Sequence, residues 1–342
     1  MSTQEYVQQK KPFFDLSPGL LEYLNNTSRY VKLPIAYNDL TKYDSIIPIE
    51  SDNDGQFTLW FAALYSPHLR DEINQGLVET YQKLNSGGQA IKHLSVERIE
   101  FCMYGNSQPF RIKIRNDIND NYDYFYVKNI DASRIYGMEL EHLLSPNKIN
   151  YLSDSSTIIE EHIIGIPGDQ FIENEYQQHA CIRLAKEFVK FNERCFVRLL
   201  GDMRAYNFVV AMIPDFDNTQ YRIRAIDFDQ QNYEGRMRNY LPQFFKENIN
   251  YVELAQQFMS AETATQYKQE ELALTRKRLL LVKEEVRELL KVMETEHISK
   301  PEYVKELKEG LIKYHKNSVF NNCHNMGTLL KHNIEFMLGV QI

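Results

Sequence analysis

Three oxygen-bearing side chains, Asp202, Asn207 and Asp227, fall at one mouth of what reads as a hairpin. Asp202 and Asn207 stand five positions apart in RLLGDMRAYNFVV (198–210), between apolar runs, and Asp227 sits inside the apolar phrase AIDF. NFVVAMI (207–213) and YRIRAIDFD (221–229) read as two strands joined by the turn PDFDNTQ. Antiparallel pairing returns the end of the second strand to the start of the first, so the three side chains converge. Two carboxylates and an amide at one mouth repel or stay unsatisfied unless a cation sits among them. Hard oxygen ligands of this kind suit Mg²⁺ carrying phosphates. The alternative reading is local: each aspartate caps the helix or turn just after it, and Asn207 holds a turn.

Positioning such a site requires regular structure around the hairpin. From 95 to 130, VERIEFCMYG, FRIKIRND and DYFYVKNID alternate β-branched or aromatic residues with polar ones between turn clusters, which predicts a three-stranded antiparallel meander. ASRIYGMELEHLL (132–144) predicts a short helix, and STIIEEHII (156–164) another strand ended by GIPGD. Apolar residues recur every three or four positions in ENEYQQHACIRLAKEFVKFNE (173–193). Beyond about 240 the chain reads as helices, the longest over 264–293 with its Glu, Lys and Arg residues on a solvated face. Residues 1–90 stand apart, with a strand in 55–65, a helix in 67–84 and the turn signal NSGG at 85–88.

The composition narrows the function classes. Of 342 residues, 43% are hydrophobic, enough for a sizeable core without metal or disulfide staples. Lys and Arg total 39 against 47 Asp and Glu, a net charge of −8 that repels a phosphate backbone, so no nucleic-acid partner is expected. Cys102, Cys181, Cys195 and Cys323 are scattered and signal neither a zinc site nor a disulfide framework. The polar N-terminus and the lack of a long apolar run predict no signal peptide and no transmembrane segment, and a cytoplasmic location.

GDxxxxN, a strand, a short turn, a second strand and IDFD together resemble the catalytic and metal-binding loops of the protein-kinase-like superfamily. Within it the phrase looks most like the aminoglycoside phosphotransferase and choline kinase group, and LGDMRAYN also resembles the Leu-Gly-Asp opening of phosphoinositide kinases. The upstream segments keep a similar order. FYVKNID places Lys128 on the third strand of the meander, ASRIYGMELEHLL supplies a helix with Glu139 and Glu141, and TIIEEHIIGIPGDQF resembles the strand leading to the adenine hinge.

The resemblance implies an α+β, two-lobed protein-kinase-like fold with a small antiparallel-sheet lobe and a larger, mostly helical lobe. Residues 1–90 would be an N-terminal extension, 91–164 the small lobe, and 165–342 the large lobe with the catalytic hairpin at 200–229. ATP and Mg²⁺ are the implied cofactors. Lys128 would neutralise phosphate charge, oriented by Glu139, which lies at the edge of the apolar stripe Tyr136, Leu140, Leu143 and Leu144, or by Glu141. Gly105 would lie in the loop over the phosphates, and the backbone of Glu161, His162 and Ile163 would face the adenine. Asn207 and Asp227 would hold the metal, and Asp202 would accept the proton of the acceptor hydroxyl. The chain departs from the pattern at GNSQP, with one glycine, at Leu200 where the phosphotransferase group carries histidine, and at Asp229 where protein kinases carry the Gly of Asp-Phe-Gly.

The acceptor is not legible; it would be bound by residues 230–253 and the helices to 342. Arg204 would bind phosphate or acceptor, or form an ion pair. The C-terminal helices offer surface for a protein partner. Three readings are open: an ATP-dependent phosphotransferase acting on a small molecule, lipid or protein; a degenerate kinase-like protein that binds nucleotide or partner without transfer; and a non-enzymatic α+β interaction module.

Overall fold

The computed structural model describes residues 11–50, 55, 57–87, 89, 91–175, 181–215 and 218–342. The chain divides into two compact units, Met1–Asp131 with Ile149–His162, and Ala132–Lys148 with Ile163–Ile342. The architecture is α+β, with an antiparallel sheet in the first unit and a mostly helical second unit.

In the first unit, helices α1 (Pro18–Asn26), α2 (Tyr37–Leu40) and α3 (Pro67–Ser86) accompany seven strands: β1 (Ser45–Glu50), β2 (Phe57–Leu64), β3 (Leu94–Cys102), β4 (Phe110–Asn116), β5 (Tyr122–Asn129), β6 (Tyr151–Ser153) and β7 (Thr157–Glu161). They form one sheet in the order β1-β2-β3-β4-β5-β7-β6, all pairs antiparallel. The meander expected over 95–130 is its centre. Phe110, Ile112 and Ile114 alternate with Arg111 and Lys113, so one face of β4 is fully buried, with Phe125, Val127 and Ile159 beside it. Each such side chain contributes about 1.5–3 kcal/mol by leaving water. Helix α3 starts at Pro67, ends at Gly87 in the left-handed conformation (φ 62°), and packs Ile73, Leu77 and Leu84 into the same core.

The segment expected as an N-terminal extension contributes strands to this sheet. β1 and β2 are hydrogen-bonded members of the sheet. The helix at 132–144, expected in the small lobe, belongs to the second unit. A strand at 45–50 escaped notice because SIIPIE contains a proline, which is tolerated here on an edge strand.

The second unit contains α4 (Ala132–Leu144), β8 (Ile166–Pro167), α5 (Gly168–Gln170), α6 (Cys181–Arg198), β9 (Phe208–Asp215), β10 (Asn218–Ala225), α7 (Ile249–Phe258), α8 (Ala261–Leu281), α9 (Lys283–Met293), α10 (Pro301–His315) and α11 (Met326–Leu338). β10, β9 and β8 form a three-stranded sheet in that order. Helix α6 is the hub, packing on α7, α8, α11 and β10. The helix expected over 173–193 is described from Cys181 onward as α6, and Phe171–Glu175 forms a π-helical turn; residues 176–180 lie outside the described part. The long helix expected over 264–293 breaks at Val282 (φ −122°, ψ 33°). Leu279, Val286, Leu290 and Met293 stay buried in one helical phase across the break, so periodicity gives no warning of it. Among the described residues, no helix is long and apolar enough to cross a membrane, and all four cysteines are buried free thiols.

Candidate functional site

The loop carrying Asp202 is fixed where α6 ends. Helix C-termini leave carbonyls without intrahelical partners. Here Asn333 Nδ2 donates to Phe196 O (2.8 Å) and Val197 O (3.1 Å), and Gln231 Nε2 to Arg198 O (2.6 Å). The chain then runs antiparallel to residues 230–232: Gly201 N donates to Gln230 O (3.2 Å) and Asn232 N to Leu199 O (3.1 Å). Asp202 takes a left-handed conformation (φ 57°), which aspartate tolerates better than most side chains, and its N–H donates to Asn239 O at 3.1 Å.

Asn207 opens the hairpin. Its side-chain nitrogen donates to Asp202 O (2.7 Å), its backbone N–H to Arg204 O (2.8 Å), and its carbonyl accepts from Ile226 N (3.1 Å). The amide is thereby oriented with its Oδ1 accepting no hydrogen bond among the described residues. Asp227 lies two residues past β10. Its Oδ1 accepts from Asp229 N (3.1 Å) and from Arg134 Nη2 (2.9 Å). Asp202, Asn207 and Asp227 are thus gathered at one mouth of the β9–β10 hairpin.

Two arginines sit among the carboxylates, each serving two of them. Arg134 on α4 bonds Asp227 and, through Nε at 2.7 Å, Asp229. Arg204 bonds Asp202 (2.7 Å) and Glu247 (2.7 Å) and lies over the Phe245 ring. Burial would lower the Arg204 pKa, but the hydrogen bond and charge of Asp202, with Glu247, raise it instead. Four carboxylates thus meet two guanidinium groups. Burial also raises the carboxyl of Glu234 above its ordinary value, with the charge of Asp202 adding to the effect.

Arg134 reaches its partners because α4 comes very close to the chain after β10. Ser133 Oγ donates to Gln231 O (2.7 Å), and a Cβ at Gly137 would stand 2.9 Å from Phe228 Cβ, so only glycine fits there without a shift. On the same helix Glu139 and Glu141 are both buried; Glu141 bonds Arg198, Ser145 Oγ (2.6 Å) and Asn147 Nδ2 (3.0 Å).

Lys128 belongs to the first unit. In register, Arg111 faces Tyr126, Tyr126 faces Glu160 and Lys128 faces Ile158, so these side chains share the sheet face opposite Val127 and Ile159. Lys128 is 6% exposed there, and its Nζ meets Glu160 Oε2 at 2.6 Å. Glu160, on the neighbouring strand, is thus the carboxylate that this lysine meets within its own unit; Glu139, the helix glutamate expected to orient it, belongs to the second unit.

Gly105 occupies the β3–β4 turn with φ 90° and open space around its Cα. Glu161 N donates to Asn150 O (3.1 Å). His162 Nδ1 lies 3.1 Å from Tyr126 Oη with its ring against Tyr124, and burial lowers its pKa. At Ile163 the chain re-enters the second unit, so the boundary falls within the stretch read as a hinge.

For a divalent ion, the oxygen donors of Asn207 and Asp227 are chemically suitable, and the orientation of Asn207 leaves its amide oxygen available. Among the described residues no group of three or more His, Cys, Asp or Glu side chains is arranged to hold a metal. Sequence reasoning gave no ion-pairing role to Arg134, Glu160, Asp229 or Glu247. For Glu160 a signal existed, since two facing strands place it one step from Lys128; for the others none did. No protein-family model matches the chain, and no curated protein matches it in sequence.

Proposed function

We propose that this protein is an ATP-dependent phosphotransferase with a protein-kinase-like fold, acting on a hydroxyl of a small molecule, lipid or protein. The observation that carries the reading is the mouth of the β9–β10 hairpin, where Asn207 is turned by the Asp202 carbonyl and stands with Asp227 across the strand pair. In this reading Asn207 and Asp227 would hold Mg²⁺, which supplies charge neutralisation on the nucleotide phosphates. Asp202 accepts the acceptor's proton, and Arg204 fixes the orientation of that carboxylate while Glu247 holds the guanidinium from its other side. Lys128 neutralises phosphate charge, with Glu160 holding its ammonium.

The test is thermal unfolding with and without ATP and Mg²⁺, followed by γ-phosphate transfer to a panel of acceptors. A ligand that prefers the native state raises the melting temperature by mass action. The expected result is a Mg²⁺-dependent rise that Asp227→Asn abolishes and Asp202→Asn retains, with turnover lost in both. No rise at millimolar nucleotide overturns the reading.

A second reading has its own support. Arg134 already supplies Asp227 and Asp229 with a cation, which favours a kinase-like protein that binds without transferring. A nucleotide-induced rise that is indifferent to Mg²⁺ and to Asp227→Asn, with no turnover on any acceptor, would select it.

A further inference from the structure

We infer that the second unit carries a binding site, separate from the hairpin mouth, for a small organic anion with an apolar body. A cavity of 540 Å³ opens where residues 146–148, residues 164–166 and the β9–β10 hairpin meet. It exists because β8 is short. β8 pairs with β9 only at Val209 and Val210, so Ala211–Ile213 has β10 on one side and no strand on the other among the described residues. The volume lies within the range of small-molecule sites, roughly 300–1,000 Å³.

Its lining has one sign of charge. Lys148, Arg222 and Arg224 line it, and among the described residues no carboxylate does, in a chain whose net charge is −8. The cations are placed by structure. Arg222 and Arg224 stand opposite Ala211 and Val209, two positions apart on one face of the hairpin. Arg224 Nη2 donates to Lys148 O (3.0 Å), and Lys148 Nζ to His142 O (3.0 Å), which ties both to the same rim. Arg222 makes no ion pair among the described residues, and it repels the like charge of Arg278. A guanidinium so placed is a ready donor to an anionic head group.

The lining also carries exposed apolar side chains: Ile164 is 76% exposed and Met212 47%, and Ile213 shares the hairpin face of Arg222 and Arg224. Exposed apolar side chains in the same lining as the Arg222 guanidinium complement an amphiphile rather than a bare ion. Carboxylate and phosphate monoester heads share the required chemistry, since both present oxygens to the arginine and lysine donors.

The experiment is calorimetric titration of the full chain with octanoate and octyl phosphate, with octylamine, acetate and inorganic phosphate as controls. At least one octyl anion is expected to bind, octylamine not to bind, and each head group alone to bind about tenfold more weakly or worse. Arg222→Glu and Met212→Asp are each expected to weaken the octyl anion about tenfold. Met212 is exposed and Arg222 half-buried, and unchanged thermal unfolding of the variants confirms that the fold is retained. Octylamine binding as tightly, both variants leaving affinity unchanged, or no saturation by either octyl anion at millimolar concentration overturns the inference. Inorganic phosphate matching octyl phosphate overturns the amphiphile assignment. No residue of the hairpin mouth takes part, so failure here leaves the proposed phosphotransfer untouched.

Discussion

Each unit buries a cation against carboxylates, and the two do so differently. In the sheet unit the Lys128 ammonium meets the Glu160 carboxylate across adjacent strands at 2.6 Å. In the helical unit Arg134 leaves α4 and spreads over Asp227 and Asp229, which lie more than ninety positions further along the chain. The first pair is a by-product of strand register. The second requires a helix to approach a loop closely enough that Gly137 cannot carry a side chain. Planarity explains the residue types: a guanidinium fork serves two carboxylates at fixed angles, whereas an ammonium is a point charge suited to one.

The largest effect expected from breaking this comparison is at Arg134. Arg134→Met strips the guanidinium from two carboxylates, of which Asp229 is only 5% exposed, and should cost about 3–5 kcal/mol in urea unfolding. Adding Asp229→Asn should recover much of it. If the guanidinium stands where the proposed cation belongs, millimolar Mg²⁺ should raise the melting temperature of Arg134→Met more than that of the parent. A loss smaller than about 1 kcal/mol would mean that the contact is replaceable by water.

Lys128→Met should come next, at about 2–3 kcal/mol, because it takes a cation from one carboxylate instead of two. Lys128→Met with Glu160→Gln should regain at least half, since replacing both members of a buried pair avoids an uncompensated charge. Equal losses in the single and double variants would show that the lysine matters through packing, for instance against the Tyr126 ring, 5.6 Å away.

A pH titration separates the units more gently. Burial lowers the pKa of His162 in the sheet unit and of His315 in the helical unit from the ordinary 6.5, although an Asn333 hydrogen bond opposes the shift at His315. Between 6.5 and the lower folded values the unfolded chain binds these protons more readily than the folded one. Stability should therefore be full above that pH and fall as the pH drops toward the folded values. His162→Gln and His315→Gln should each flatten part of this slope in thermal unfolding at pH 5 to 7; a slope unchanged in both would remove the histidines as its cause.

Stability should respond least at Arg204. With 29% of the side chain exposed, Arg204→Ala should cost about 0–1 kcal/mol. Asp202→Asn should be similarly mild for stability, yet under the proposed activity it should reduce turnover about a hundredfold or more. A large stability loss with no change in turnover would recast Asp202 as a turn residue.

Much of the framework was legible because it depends on local pattern. Period-two alternation located β3, β4 and β5, and the run ASRIYGMELEHLL gave α4 at its observed ends. The hairpin was legible too, although its strands extend to Asp215 and from Asn218, nearer the turn than expected. What failed was membership. β1 and β2 joined the sheet through pairings that no spacing announces, and α4 belongs to the other unit from the strands on either side of it. In the site, Asp202, Asn207 and Asp227 were read from their place around the hairpin. Arg134 and Glu247 were not, because a basic or acidic residue on a helix or in a short 3₁₀ turn is most often solvated.

The sequence by itself determined which segments become strands and helices and that three oxygen-bearing groups share one hairpin mouth, since side-chain alternation and strand pairing act over a few residues. Tertiary structure alone decided which cations those carboxylates meet. Ion pairing is set by distance in space, and the approaches that bring Arg134 to Asp227 and Asp229, and Glu247 to Arg204, depend on how distant segments pack.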